Sequence, residues 1–510
     1  MLPVIATLIV FVILGLVVVN LVTTIGWPWW QRQTTYRALH ALPAPPTQWL
    51  LGNLPQILAA VKQKQLFRLL FDWSQELGPI YVYWMSYPVI VLSRPSAIDD
   101  IIVTGMRDGS WMRSRGARIA WNDISGPILL GQDGADWQWR RKAWNPEFSA
   151  SGLSHHGEVI RQACTQVIDR LKTVSPSDTV QMDPLFVELT MRVISGLLLG
   201  IPIDSALSSP EGPALDTQKV YQAMSVIGYR FLRLATGEKP WMKYLPTRSA
   251  QDYWAARRYL EAFLLPRIDL ALQLRDQPQT EPPVSSLFLN SMLVKIAAKE
   301  PRYTRETLIA ESIELLIAGT DTTAHTLSFV VGELALNPRV FQTAQAIVDA
   351  VWQQQGEVTI AHLKELNYLQ AIVKETLRLY SVASGSTSLE ATRNTVVAGI
   401  PVPRGTKVFW SMLAAGRDPD TYPQPEEFLP ERWLAGDRIN NSLPMVDFGS
   451  GLHRCLGENL AMLEATLMLA QLLRYFRWEL VNGRSSLDNL QQNLLIYPVD
   501  GMPLRFQVRA

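Results

Sequence analysis

The chain of 510 residues carries 47 Lys and Arg against 46 Asp and Glu, a formal net charge of +1, with 48% hydrophobic and 18% charged residues. So apolar a composition excludes disorder as the main state, and the balanced charge offers nucleic acid no basic field. Two cysteines exclude a disulfide scaffold and a cysteine-rich zinc module, six histidines leave little for a multi-histidine metal site, and 17 tryptophans point to apolar cavities or a membrane contact.

No charged side chain precedes Arg32, and residues 2–25 are rich in Leu, Ile and Val. About 20 apolar residues suffice to cross the hydrocarbon core. Trp27, Trp29 and Trp30 follow where an aromatic belt would sit. A cleaved signal peptide fits less well, because there is no basic n-region and no small-residue cleavage site close by. Residues 1–26 are therefore expected to form a single transmembrane anchor. Positive charge lies only beyond it (Arg32, Arg37, Lys62, Lys64, Arg68), which places the body in the cytosol. The membrane would be the endoplasmic reticulum in a eukaryote and the inner membrane in a bacterium. Residues 27–53, with Pro43, Pro45 and Pro46, read as a proline-stiffened linker. Residues 54–510 read as one catalytic domain.

Within that domain a helix is expected near 64–77, stopped by Gly78-Pro79. The β-branched and aromatic runs 80–85 and 89–93 form a hairpin about Ser86-Tyr87-Pro88. From 95 to 380 the pattern is mostly helical, interrupted by polar loops at 204–216 and 276–286. A β patch returns at 395–410, and a last pair of strands at 494–508 is expected to turn at Asp500-Gly501. No internal repeat is present. The fold class is mainly α with small β-sheets.

Four local patterns carry chemistry. The most specific is Phe448-Gly-Ser-Gly-Leu-His-Arg-Cys455-Leu-Gly457, a glycine-rich loop running into a helix from Glu458 to about Arg477. Backbone N–H groups at such a helix start point at the sulfur and favour its thiolate. Gly449, Gly451 and Gly457 suggest backbone pressed close to something flat and bulky. A lone cysteine is more often a buried small hydrophobe, and the absence of a Cys-x-x-Cys-His run excludes a c-type haem attachment.

This segment resembles the haem-binding loop of the cytochrome P450 family, and the resemblance runs from about residue 43 to the C-terminus. It implies the P450 fold, preceded here by the N-terminal anchor. It implies haem b (iron protoporphyrin IX) with Cys455 as axial thiolate, the arrangement that favours O–O cleavage in this family. Phe448, Gly451, His453, Arg454 and Gly457 would contact the cofactor. His453 stands where many members have Arg, and it or Arg454 would bond a haem propionate.

The second pattern is Ala318-Gly-Thr-Asp-Thr-Thr323, inside an apolar helix expected from about 305 to 337 with Thr304 as N-cap and Pro338 just past its end. Gly319 and the threonines are expected to kink the helix or open a turn. A threonine bonded back to the carbonyl four residues earlier accounts for such a run without catalysis. By the resemblance this is the oxygen-activation helix, with Ala318 and Gly319 against haem, Thr322 donating to dioxygen and Asp321 linking the site to solvent protons. Ala318 occupies the position at which some fatty-acid hydroxylases carry a haem-esterified Glu, so that linkage is not expected.

The third pattern is Glu375-Thr-Leu-Arg378, i and i+3 on one helix face. With Arg432 in Phe428-Leu-Pro-Glu-Arg432-Trp433 it is similar to the family's buried Glu–Arg–Arg triad, a structural device. The fourth is Gly134-Ala-Asp-Trp137-Gln-Trp-Arg-Arg141-Lys, where Trp137 and Arg141 project together. An exposed amphipathic helix is the commoner outcome of such a stripe. The resemblance assigns both residues to a haem propionate and finds a further propionate ligand, usually Arg, replaced by Leu389. Cys164, His155 and His156 are not promoted: the cysteine packs, and nothing near the histidines completes a metal site.

The resemblance implies a monooxygenase: two electrons and two protons split dioxygen, one atom leaves as water and the other enters a lipophilic substrate. NAD(P)H would act indirectly, through a flavoprotein reductase or a ferredoxin docked on basic residues such as Arg140, Lys142 and Arg454. The alternatives are a P450-fold isomerase or dehydratase and a peroxygenase, which need no redox partner; such relatives often lose the acid–alcohol pair that Asp321 and Thr322 supply here. By the same topology the substrate cavity is lined by 110–128, 220–245, Ala318, 382–388 and the turn near Pro498. Trp241, Met242 and Leu245 are expected to meet membrane lipid.

Overall fold

The computed structural model describes residues 22–154, 156–200, 216–235, 237–274, 288–384, 388–436, 438–439, 443–444 and 447–509, with Leu14, Gly15, Val18 and Val19. Most of the expected anchor, residues 204–215 of the first expected loop, the loop at 276–286, His155 and residues 385–387 fall outside the described residues. Among the described residues no helix is long and apolar enough to cross a membrane. The anchor boundary at residue 26 does not end an element: the turn Val22–Gly26 runs on into the helix Trp27–Gln33. Trp27, Trp29 and Trp30 are all exposed there, with Trp27 stacked on Trp30 at 5.0 Å.

The chain forms two compact units, Met1–Ser114 with Gly385–Tyr422, and Arg115–Ser384 with Pro423–Ala510. The first is built on a five-stranded sheet ordered Ile80–Trp84, Pro88–Leu92, Lys407–Trp410, Leu389–Ala391, Trp111–Arg113. The expected hairpin is present, with Ile80 opposite Leu92 and Trp84 opposite Pro88. Pro88–Leu92 then pairs in parallel with Lys407–Trp410. Every residue of Pro88–Leu92 is buried, which is why its sequence is a continuous apolar run rather than an alternation. The helix Leu66–Leu77 stops at Gly78, whose φ of 93° only glycine adopts readily. Leu389, the departure from the family pattern, is buried in its strand opposite Arg113.

The proline-rich stretch is docked on this sheet. Val82 N–H donates to the Pro43 carbonyl at 2.9 Å. Asn53 accepts from Trp84 N–H through Oδ1 at 3.0 Å and donates to the Pro46 carbonyl through Nδ2 at 3.0 Å. His40 stacks on Trp84 at 4.9 Å, and the Arg32 guanidinium lies 4.6 Å over the same ring. Stiff extended backbone costs little entropy to fix, so a few such bonds suffice to hold it.

The second unit is helical. Its axis is Arg305–Leu336, capped by Thr304, which accepts from Thr307 N–H. Met182–Leu199, Asn367–Tyr380, Glu458–Tyr475 and Arg115–Ser125 pack around it. The helix has no amphipathic stripe because nearly every face is covered. No opened turn occurs at Gly319: the segment is α-helical throughout. Thr322 Oγ1 donates to the Ala318 carbonyl and Thr326 Oγ1 to the Thr322 carbonyl, each at 2.7 Å, so the hydroxyls bond inside the helix.

One strand expectation fails. The segments either side of Asp500-Gly501 do not pair with each other. Ile496–Pro498 pairs with Leu490–Gln492, and Pro503–Val508 pairs with Phe476–Leu480 and Val180–Gln181. Gly501 and Met502 both take positive φ, 68° and 54°, which swings the chain out of the first hairpin. Gln181 then stands against Gly501, where a Cβ would lie 2.9 Å from its Oε1.

Candidate active site

Every candidate site residue lies in the second unit. The loop before Glu458–Tyr475 is closed by Cys455 N–H donating to the Phe448 carbonyl at 2.7 Å. Gly449 and Gly451 need their φ values of 68° and 62° to make that turn. Gly457 differs: its φ is −87°, and a Cβ there would meet no atom within 4 Å. Its lack of a side chain serves neither the turn nor the packing of the chain.

Cys455 sits deep among protein atoms and yet is exposed, because it borders a cavity. That cavity, about 440 Å³, is lined by Arg141, Asn145, Phe148, Arg454 and Glu458 among others. The expected N–H donors are present: the backbone of Gly457 and Glu458, with the Arg141 guanidinium, favours the thiolate. Burial works the other way and prevails, pushing the thiol up.

Arg141 is fixed by donating from Nη1 to the Arg454 carbonyl at 2.7 Å. Trp137, one turn earlier in Gly134–Trp144, meets His453 with ring centroids 4.2 Å apart. His453 Nε2 lies 3.9 Å from Asp133. Arg454 is turned to Glu458, at 2.6 Å, and 59% of its side chain is exposed. Arg140 departs from expectation. It is not a surface cation: only 6% exposed, it pairs with Glu311 of the central helix, which also accepts from Trp144 Nε1 at 3.2 Å. The stripe of basic residues hid an inward member, since i and i+1 point about 100° apart on a helix.

The central helix is buried at every residue from Leu308 to Leu334 except four: Ala318, Gly319, Asp321 and Thr322. These are the residues the sequence singled out. Ala318 is exposed and the other three are half-buried, so the otherwise covered helix borders a void in its middle. Ile194 of Met182–Leu199 stands 3.1 Å from where a Gly319 Cβ would be, so glycine permits this helix crossing. The Thr322 hydroxyl, its proton given to the Ala318 carbonyl, presents lone pairs to the void rather than a donor. Asp321 is lifted to about 6 by burial, with the Asp183 charge adding to the rise and His325 opposing it.

Glu375 is fully buried and accepts from Arg378 Nε (2.9 Å) and Nη2 (2.7 Å), Arg432 Nε (3.0 Å), Trp433 Nε1 (2.8 Å) and Leu429 N–H (2.9 Å). Arg378 also holds the Pro425 and Glu427 carbonyls, and Arg432 those of Pro423 and Gln424. The triad therefore pins the 423–433 meander. Two further pairs escaped the sequence: Glu311 with Arg140, and His325 with Asp183. Each joins residues more than 140 positions apart; the only local hint was His325 at i+4 from Asp321.

Residues 42–504 match the family model described as Cytochrome P450. The chain belongs to the cytochrome P450 family. Similar curated proteins include cytochrome P450 cyp-13B1 of Caenorhabditis elegans, 26% identical with 88% of this chain and 90% of that protein covered. Cytochrome P450 76C4 of Arabidopsis thaliana is 26% identical over 90% and 89%, and cytochrome P450 3A29 of Sus scrofa 26% identical over 79% and 80%. As a P450 the chain is an oxidoreductase of the monooxygenase class, and the family implies haem with cysteine thiolate ligation, a redox partner, dioxygen and a lipophilic substrate.

Proposed function

We propose that this P450 hydroxylates or epoxidises a lipophilic substrate at a haem held by Cys455, with electrons that originate in NAD(P)H and arrive through a flavoprotein reductase or a ferredoxin. The observation that carries the reading is the void against the central helix at Ala318, Gly319, Asp321 and Thr322, together with an exposed cysteine that lines a cavity. The residues fit the group. A lone cysteine thiolate is the ligand type that suits the iron of a haem. At Gly457 a Cβ would meet no protein atom within 4 Å, so protein does not fill the space beside this residue.

The chemistry the group supplies when bound is reductive activation of dioxygen and delivery of one oxygen atom to substrate. Cys455 would ligate the iron through its sulfur, with Gly457 and Glu458 N–H groups favouring the thiolate. Trp137, Arg141 and His453 would hold the propionates, Arg454 anchoring Arg141 through its carbonyl. Phe448 and Gly451 shape the loop, and Ala318 and Gly319 would contact the haem. Asp321 would hold a proton at the void, and Thr322 would offer its hydroxyl oxygen there. Their presence favours oxygenation over the isomerase, dehydratase or peroxygenase alternative. Glu375, Arg378 and Arg432 keep the meander in place.

The substrate side is supported by packing. Arg115–Ser125 lies against Thr217–Ala235, with Trp121 and Phe231 rings 4.0 Å apart, and both Arg115–Ser125 and Ile496–Pro498 pack on the central helix. Such apolar walls suit a lipophile. Trp241, Tyr244 and Leu245 are exposed on the turn Pro240–Tyr244 and just after it, where lipid would cover them. With the apolar run at 1–26 they support attachment to a membrane, the body facing the cytosol. Lys142 and Arg454, both exposed, suit an acidic electron donor.

The reduced protein should give the thiolate-type carbon monoxide difference spectrum, and Cys455→Ala should lose it. An unchanged spectrum in that variant would remove Cys455 as the ligand. Oxygen-dependent NAD(P)H consumption with a reductase, and shifts of the haem absorption across a lipophile panel, then identify donor and substrate.

A further inference from the structure

We propose that Asp183 and His325 form, with Asp321, a buried proton relay to the void on the central helix, His325 being the group that hands protons to Asp321. The inference deepens the monooxygenase reading and rests on it.

His325 is 2% exposed and Asp183 is 7% exposed. The imidazole Nδ1 lies 2.7 Å from Asp183 Oδ1, and Ser328 Oγ donates to the same oxygen at 2.8 Å. Asp183 is pinned by its own N–H, which donates to the Gly501 carbonyl at 3.0 Å. With Nδ1–H committed to Asp183, the mobile proton belongs to Nε2. Asp321 is four residues earlier on the same helix, hence on the same face. Its Oδ1 is buried without a hydrogen-bond partner among the described residues. A buried carboxyl oxygen left open is costly unless it serves something.

The charges around the pair agree with this role. Burial lifts Asp321 to about 6. Burial alone would lower His325, but the contact with Asp183 and the charge of Asp321 outweigh it and raise the imidazole. Tyr221, from Thr217–Ala235, faces both carboxylates and is pushed up, so it keeps its proton at neutral pH. Tyr497, from Ile496–Pro498, lies with its ring 6.0 Å from that of His325. Asp321 and His325 are therefore the two groups whose charges act on each other at this face of the helix.

In the step proposed, the Nε2–H bond of the imidazolium breaks and an O–H bond forms on the Asp321 carboxylate, directly or through one water. The ring is left neutral, still bonded to Asp183, and Nε2 is reprotonated from the bulk-solvent proton pool, so each cycle nets one solvent proton delivered to Asp321. Asp321 releases its proton into the void. The cycle runs twice for each dioxygen split, since two protons are consumed.

The test is infrared difference spectroscopy of the protein against Asp321→Asn, which isolates the Asp321 carboxyl band. In wild type the band should titrate near pH 6. In His325→Gln the loss of the neighbouring cation should raise the midpoint by about one unit, a tenfold tighter proton. An unmoved midpoint overturns the relay. With a reductase, the hydrogen peroxide released per NAD(P)H consumed should rise severalfold in His325→Gln and also in Asp183→Asn. An unchanged ratio in Asp183→Asn overturns the relay even if His325→Gln does not fold. A wild-type protein without the thiolate-type spectrum would count against the haem reading instead, because the infrared midpoint is readable with or without haem.

Discussion

The indole of Trp137 and the imidazole of His453 lie with centroids 4.2 Å apart and planes tilted by 42°, so the helix Gly134–Trp144 and the cysteine loop touch through two rings. Aromatic pairs of this kind contribute about 0.5–1.5 kcal/mol beyond their buried area. Trp137→Ala and His453→Ala should therefore be non-additive, with a coupling of about 1 kcal/mol in a denaturation double-mutant cycle. Strict additivity would mean that the contact contributes nothing. If both rings also hold a propionate, each variant should in addition lose haem faster when challenged with a competing haem acceptor.

Glu375 is the most heavily bonded carboxylate of the site, with five donors from three side chains and one backbone N–H. Removing it leaves two buried guanidinium groups without their anion. Breaking such a pair costs about 3–5 kcal/mol, so Glu375→Ala should accumulate poorly and unfold at markedly lower denaturant. Arg432→Ala should cost less, since Arg378 still covers Glu375 through two nitrogens. The reverse order of the two variants would show that the meander is held by something else.

What could be read from the sequence was what is local. The helix Arg305–Leu336 begins at the expected cap because Thr304 bonds a donor three residues on. The cysteine loop has its shape because two glycines take positive φ within three residues. Chain-distant relationships were hidden. Nothing near Arg140 distinguishes it from Arg141, yet one faces Glu311 and the other Arg454. The strands flanking Asp500-Gly501 carry a turn signal, but their partners are fixed by register with residues 476–480 and 490–492. The Glu375 triad was legible only by resemblance, because a Glu and an Arg at i and i+3 are ordinary on any helix.

Thr322 gives its hydroxyl proton to the Ala318 carbonyl at 2.7 Å. Such a bond bends or braces a helix without chemistry, whereas a role at the void requires the oxygen itself. The two readings separate by substitution. Thr322→Ser keeps the hydroxyl, while Thr322→Val keeps the shape and removes it. The haem spectrum should survive in both. Product formed per NAD(P)H consumed should be near wild type in Thr322→Ser and fall severalfold in Thr322→Val, with the difference appearing as hydrogen peroxide. Equal yields would reduce Thr322 to a brace.

Glu464 lies on Glu458–Tyr475, 1% exposed, its Oε1 without a hydrogen-bond partner among the described residues. Its charge is felt by the buried Cys164 of Gly157–Lys172. Burial lifts its carboxyl to about 8. The folded protein therefore holds this proton while the unfolded chain releases it near the ordinary carboxylate value of about 4.3. Below that value the group carries no penalty. Between there and about 8 stability drains away as pH rises, and above that the loss is constant, on the order of 3–5 kcal/mol. Glu464→Gln removes the titration. The variant should come closest to wild type in urea near pH 4, at or below the ordinary carboxylate value, and exceed it progressively as pH rises to about 8. A stability difference that does not change with pH would mean that Glu464 is ionised in the folded state, and the packing of this helix against Cys164 would have to accommodate a charge.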